Sequence, residues 1–175
     1  MDSATGEQRG PVLLSYDGSD AARRAIERAG QLLGGGEVIV LTVWESLGSA
    51  ILRNLPSGAT EFGSEARGIA EDVVDELDTR TADPARMTAA EGAGLATAAG
   101  FDARPLARRA LARSAERISV TVWRAVLDTA DEEAAELVVL DSRGRSGVTS
   151  MVLGSVSYGV VHNSERPVLI VPPLP

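Results

Sequence analysis

Two acidic residues stand where short apolar runs end and turns begin. Asp17 follows Pro11-Val-Leu-Leu-Ser-Tyr16 and precedes Gly18. Asp141 follows the run 136–140. A carboxylate at such a position can accept hydrogen bonds from ligand hydroxyls or act as a ligand of Mg²⁺. The two carboxylates are therefore candidates for hydroxyl recognition and for a metal ligand, although ordinary turn roles explain them equally well.

A glycine- and serine-rich segment follows Asp141 and leads into an apolar stretch. Glycines allow backbone N–H groups to approach phosphate oxygens, and a helix N-terminus adds about half a positive charge. Serine hydroxyls supply neutral donors, and arginine adds charge. The candidate anion-binding residues of this segment are Arg143, Gly144, Gly154, Ser155, Val156 and Ser157.

Hydrophobic periodicity and turn residues predict alternating strands and helices. Ser19 or Asp20 is suited to cap the first helix, which stops at Gly34. Asp83-Pro84 is typical of a helix start. The predicted strands are 11–16, 37–44, 101–110, 136–140 and 167–171, and the predicted helices begin near residues 20, 65, 85, 120 and 153.

This alternation predicts an α/β fold, a doubly wound five-strand parallel sheet. Right-handed crossovers leave few topologies, of which the strand order 3-2-1-4-5 fits best. The Arg-rich strand 101–110, which contains Pro105, is placed at one edge because proline is tolerated mainly there. In this order the switch point lies between strands 1 and 4, where such sheets bind ligands.

The chain resembles the universal stress protein family. ATP-binding members carry Gly-x2-Gly-x9-Gly-Ser/Thr after strand 4, and Gly144, Gly154 and Ser155 match its later positions. The start through Asp17-Gly-Ser and the ending Arg166-Pro-Val-Leu-Ile-Val171 also resemble the family. The resemblance implies an adenine nucleotide alpha hydrolase-like fold and a stress-response regulatory protein that binds ATP or AMP without fast catalysis.

The resemblance also implies roles for individual residues. Asp17, with Tyr16 beside it, matches the position that contacts the ribose, and the backbone of Val43 matches the position that meets adenine. Gly144, Gly154, Ser155 and Ser157 would donate to phosphates. Family members commonly dimerise through the last strand, so a homodimer through 167–172 is expected.

Asp141 departs from the motif, whose first position is glycine. Its carboxylate would repel phosphates by about 1 to 4 kcal/mol at a partly screened distance, unless Mg²⁺ lay between them. The alternative reading is therefore a universal stress protein that binds no nucleotide and acts by dimerisation and protein interaction.

Composition excludes several classes of function. The chain has no cysteine, which excludes disulfides and thiolate sites, and its basic residues are all arginine, which excludes a P-loop lysine. A net charge of −8 opposes nonspecific nucleic-acid binding. No run is long enough to span a membrane. We expect a flexible tail at 1–10, one domain over 11–173 with a variable segment 45–83, and a cytoplasmic location.

Catalytic chemistry has little support in the sequence, so we expect no enzyme, with slow ATP hydrolysis left open. Ser146 and His162 only approximate a hydrolase pair, and no orienting acid is evident. A hydrolase at Ser146 or Ser155 is a third, weaker reading. One histidine without cysteine cannot build a zinc site. Arginines between 104 and 117 are expected to form salt bridges to the acidic helix near 65–78.

Overall fold

The structure is a computed structural model that describes residues 10–45, 64–110, 118–142 and 153–172, with the backbone alone at 64–78 and 118–121. Five parallel strands form one sheet in the order β3-β2-β1-β4-β5. The fold class and strand order expected from the sequence are thus confirmed. The strands are β1 (Val12–Ser15), β2 (Glu37–Glu45), β3 (Asp102–Ala110), β4 (Leu137–Asp141) and β5 (Val168–Val171).

Helices cover both faces of the sheet. They are α1 (Asp20–Leu33), α2 (Ser64–Ala98), α3 (Ile118–Glu132) and α4 (Ser155–Asn163). One buried cluster joins α1 and α2 to side chains such as Leu14 and Val139, and the other joins α3 and α4 to Leu13 and Leu140. Because successive side chains of a strand point to opposite faces, both faces of β1 and β4 are buried. This double burial explains their nearly continuous apolar sequence.

Helix α1 begins and ends at residues that the sequence identifies. The Ser19 hydroxyl accepts a hydrogen bond from the Ala22 amide at 3.1 Å, which makes Ser19 the N-cap and Asp20 the first helical residue. At the other end, Gly34 adopts a left-handed conformation with φ of 73°. Glycine takes this conformation without a steric penalty, so the helix stops there.

The prediction that a helix starts at Asp83-Pro84 is wrong. Helix α2 runs without a break from Ser64 to Ala98, with Pro84 inside it. Proline lacks the amide that an internal helical position normally donates, and alone it would disfavour this arrangement. Alanines that follow Pro84 on one side of α2, among them Ala85 and Ala89, are buried, so tertiary packing outweighs the local signal.

Strand β3 lies at the edge of the sheet, as its proline predicts. Two of its arginines pair with acids that the sequence did not indicate, because Arg108 contacts Glu132 at 2.5 Å and Arg104 contacts Glu133 at 2.5 Å. These partners belong to the C-terminal end of α3 and the residue that follows it. The side chains of 65–78 lie outside the described residues, so the expected pairs with that helix stay a prediction.

Helices α3 and α4 approach closely at a glycine. A Cβ atom built on Gly159 of α4 would lie 2.2 Å from the Trp123 ring of α3. The absence of a side chain at Gly159 therefore lets the indole lie against the α4 backbone. Among the described residues, no helix combines the length and the apolarity that a membrane span requires.

Two glycines of α2 offer a matched test of packing. A Cβ on Gly92 would lie 2.6 Å from the Tyr16 ring and 2.8 Å from Val40, whereas nothing lies within 4 Å of a Cβ on Gly94. We expect Gly94→Ala to stabilise the protein by up to about 1 kcal/mol through helix propensity. Gly92→Ala should destabilise it by about 1 to 3 kcal/mol, because the overpacked ring must move.

Urea denaturation of the two variants beside the wild type measures both changes in the free energy of unfolding. Equal stabilisation by the two alanines would contradict the close approach of α2 to Tyr16.

Candidate functional site

The carboxyl ends of β2, β1 and β4 bring four of the predicted positions to one edge of the sheet. Ser15 is paired with Leu41, and Leu14 with Val139. Continuing both registers by two residues places Asp17 level with Val43 and Tyr16 level with Asp141. The sheet itself therefore aligns these positions at the switch point between β1 and β4.

The loop that leaves β1 is held by its own polar groups. One Asp17 carboxylate oxygen accepts from the Ser19 amide at 2.9 Å, and Gly18 between them has a φ of 82°. This positive φ suits glycine, which lets the chain turn at once into α1. The half-buried Asp17 carboxylate is thereby fixed at the edge where the sequence predicts ribose recognition.

Tyr16 is buried rather than open to a ligand. Only 1% of the residue is exposed, and its ring packs in the cluster under α1 and α2. Its amide donates to the Leu41 carbonyl at 2.8 Å, and its carbonyl accepts from the Thr42 hydroxyl at 2.9 Å. Tyr16 thus connects the end of β1 to β2 by hydrogen bonds and fixes the backbone that precedes Asp17.

The side of the site formed by β4 is joined to the start of α4 by two hydrogen bonds. The Gly154 amide donates to the Ser142 carbonyl at 2.8 Å, and the Ser157 hydroxyl donates to the Asp141 carbonyl at 2.7 Å. The Gly154 amide and the Ser157 hydroxyl, which were expected to donate to phosphates, therefore donate to carbonyls of the protein itself. Their observed role is to hold the N-terminus of α4 against the end of β4.

The first turn of α4 keeps donors of its own. Gly154 is the N-cap and makes no side-chain cap hydrogen bond. The first amides of a helix have no acceptor within the helix, so Ser155, Val156 and Ser157 present N–H groups at its positive end. Ser155 is exposed and Val156 half-buried. Arg143 and Gly144, the other predicted anion-binding residues, lie outside the described residues, as does Ser146.

Asp141 is 9% exposed and is the last residue of β4. Strand alternation places its side chain on the α1 face, the same face as Val139 and its neighbour Val171. The carboxylate is thus directed toward the helix that begins with Asp20, rather than toward the α3 and α4 face. In the part of the chain that the structure describes, no three acidic or histidine side chains group to hold a metal.

Three supporting residues were missed by the sequence analysis. Thr42 could have been found, because a hydroxyl inside an otherwise apolar buried strand needs a hydrogen-bond partner nearby, here the Tyr16 carbonyl. Ser142 directly follows a candidate residue and was passed over. Glu91, which accepts from the Tyr16 hydroxyl at 3.1 Å, lies 75 residues from Tyr16, and no local pattern announces it.

Comparisons with known proteins agree with this architecture. The family model described as "Universal stress protein family" matches residues 9–172. A universal stress protein of Mycolicibacterium smegmatis is 32% identical over 98% of this chain, which spans about half (49%) of that relative's length.

Solved structures show the same fold. Hypothetical protein MJ0577 superposes with a TM-score of 0.68 at 19% identity, covering 96% of this chain and 99% of its own. A universal stress protein solved in complex with cAMP superposes with a TM-score of 0.50 at 24% identity, covering 94% and 97% of the two chains.

The buried Tyr16 phenol makes the free energy of unfolding decrease at alkaline pH. Burial raises its pKa above the ordinary value, and the hydrogen bond to the Glu91 carboxylate raises it further. Because the folded-state pKa exceeds the unfolded value of about 10, the stabilisation is fully present below that pH. It is lost as the pH rises through the folded-state pKa.

Tyr16→Phe should therefore flatten the decline in the free energy of unfolding above about pH 10. The measurement is unusually clean because the chain has no lysine or cysteine and only two tyrosines. Tyr158→Phe, which alters an exposed tyrosine, is the control and should leave the decline in place. An unchanged alkaline decline in Tyr16→Phe would contradict the assignment.

Proposed function

The chain belongs to the universal stress protein family, and from this premise we propose that it binds an adenine nucleotide, ATP or AMP, as a regulatory protein without fast catalysis. The observation that carries the proposal is the alignment of Asp17, Val43 and the first turn of α4 at one edge of the sheet. A carboxylate for ribose hydroxyls and amides for phosphates are the donor and acceptor types that a nucleotide needs. A protein of the same fold has been solved with cAMP.

In the proposed mode, Asp17 accepts from the ribose hydroxyls while the backbone near Val43 contacts the adenine. The amides of Ser155, Val156 and Ser157 bind phosphate oxygens, assisted by Arg143 and the backbone of Gly144. Gly154 contributes by its position as N-cap, because its amide already serves Ser142. Mg²⁺ would supply positive charge beside the phosphates, and Asp141 is the residue of this chain that would serve as its protein ligand.

The proposal includes a cytoplasmic homodimer paired through residues 167–172. β5 is an edge strand of the sheet, and unblocked strand edges favour pairing. The expected dimer stays a prediction, as do the tail at 1–10 and the single domain over 11–173. Residues 46–63, the first half of the variable segment 45–83, lie outside the described residues.

Asp17→Ala should weaken ATP binding about tenfold or more, because a charged acceptor of hydrogen bonds is removed. Calorimetric titration with ATP, with and without Mg²⁺, measures the dissociation constant. The matched control is Asp20→Ala, which removes an exposed acid from the adjacent first turn of α1. Absence of wild-type binding at millimolar ATP would reject the nucleotide function and favour the interaction protein.

Asp141→Gly restores glycine at the first position of the phosphate motif. We expect tighter ATP binding, by about tenfold, because the negative charge of a buried carboxylate at the end of β4, on the α1 side of the site, is removed. The effect should shrink at saturating Mg²⁺ if the metal already screens the carboxylate. Weaker binding of Asp141→Gly would instead assign Asp141 a favourable role, as a metal ligand or as an acceptor.

A further inference from the structure

One carboxylate of α2 connects both ends of the loop that carries Asp17. Glu91 accepts from the Tyr16 hydroxyl at 3.1 Å, and the same oxygen contacts Nη2 of Arg23. Tyr16 directly follows β1, whereas Arg23 lies in the first turn of α1. The segment between these two partners contains Asp17, Gly18 and the N-cap Ser19, so Glu91 fixes this segment from both sides.

The partner at the β1 end has little freedom to move. The Tyr16 ring lies against Gly92, where even a Cβ atom would be 2.6 Å away. Its backbone is bonded to Leu41 and Thr42 of β2. Movement of α2 near Glu91 must therefore shift the ring or break its hydrogen bond, and either change alters the start of the loop.

The energetics indicate a geometric role more than a stabilising one. Arg23 and Glu91 side chains are 44% and 45% exposed, and ion pairs this open contribute little to stability. A second ion pair, Arg86 with Asp83, is more exposed, and both of its residues belong to α2. It therefore joins α2 to no other element. The Glu91 contacts differ because they join α2 both to α1 and to the residue that follows β1.

We propose that Glu91 is a positioning residue that holds the β1–α1 loop in the shape that binds a ribose. The inference rests on the proposed function, since it assigns Glu91 an effect on the ligand through Asp17. It makes the site selective for nucleotides with free ribose hydroxyls. It also couples α2 to occupancy of the site, because a ligand that needs the ordered loop must stabilise the Glu91 contacts in return.

The decisive experiment compares ATP with 2′,3′-dideoxy-ATP, which lacks both ribose hydroxyls. Wild-type protein should prefer ATP about tenfold, the usual effect of losing a hydrogen bond to a charged group. Glu91→Ala should reduce this preference to less than about twofold, because a loosened Asp17 no longer distinguishes the two ligands. Asp83→Ala, the matched control on the same helix, should keep the full preference.

A purely structural role gives a different result. General loosening of the fold would weaken both nucleotides by the same factor and leave their ratio unchanged, and that outcome would overturn the inference. Titrations are performed where urea denaturation shows each variant fully folded. If Glu91→Ala does not fold, Glu91→Gln and Tyr16→Phe each remove part of the contact and should each lower the ratio.

A separate measurement distinguishes failure of this inference from failure of the proposed function. Absence of ATP binding by the wild type rejects the nucleotide function itself. Hydrogen exchange without ligand then still decides the positioning role. The amides of Ser19 and Ala22 should exchange faster in Glu91→Ala than in Asp83→Ala. Equal exchange rates in the two variants would overturn the positioning role of Glu91.

Discussion

Neighbouring strands of a parallel sheet must be connected by crossovers that pass over one face of the sheet. In this chain some crossovers pass over one face and the others pass over the opposite face. The connections through α1 and α2 cover one face, whereas α3 and α4 cover the other. The change of face occurs between β1 and β4, which are hydrogen-bonded neighbours. The helix that follows β1 lies on one face, and the helix that follows β4 lies on the other. Ligands of such sheets bind where the helices part in this way, and Asp17, Val43 and the first turn of α4 lie at this edge.

This edge of the sheet is held together by backbone contacts as much as by side chains. Ser157 and Gly154 attach α4 to the end of β4, and Tyr16 attaches the end of β1 to β2. These bonds satisfy polar groups that would otherwise be buried without partners. They also orient the parts that face outward, namely the Asp17 carboxylate and the first amides of α4. The site therefore depends on residues that need not touch a ligand at all.

Sequence reasoning recovered the strands and their order because buried parallel strands have a distinctive apolar pattern and few topologies satisfy the handedness rule. It failed at Pro84, where a local helix-start signal competes with the packing of alanines far along the same helix. It also did not indicate the contacts of Arg104 and Arg108 with acids at the end of α3, since which acid is near depends on the three-dimensional arrangement of β3 and α3. Of the site, Asp17 could be predicted because it directly follows a strand beside the switch point, whereas Val43 was identified only through the resemblance to the family. Glu91 could not, because its contact with Tyr16 joins residues distant in sequence.

The contact between Trp123 and Gly159 restricts how the start of α4 can move. The indole lies so close to the helix backbone that even a methyl group does not fit between them. The helix is held near its middle by this contact and at its first turn by the hydrogen bonds from Gly154 and Ser157, so it can neither slide nor tilt without losing one of them. The first amides of α4 therefore keep one position, and an anion that met them would have to fit that position.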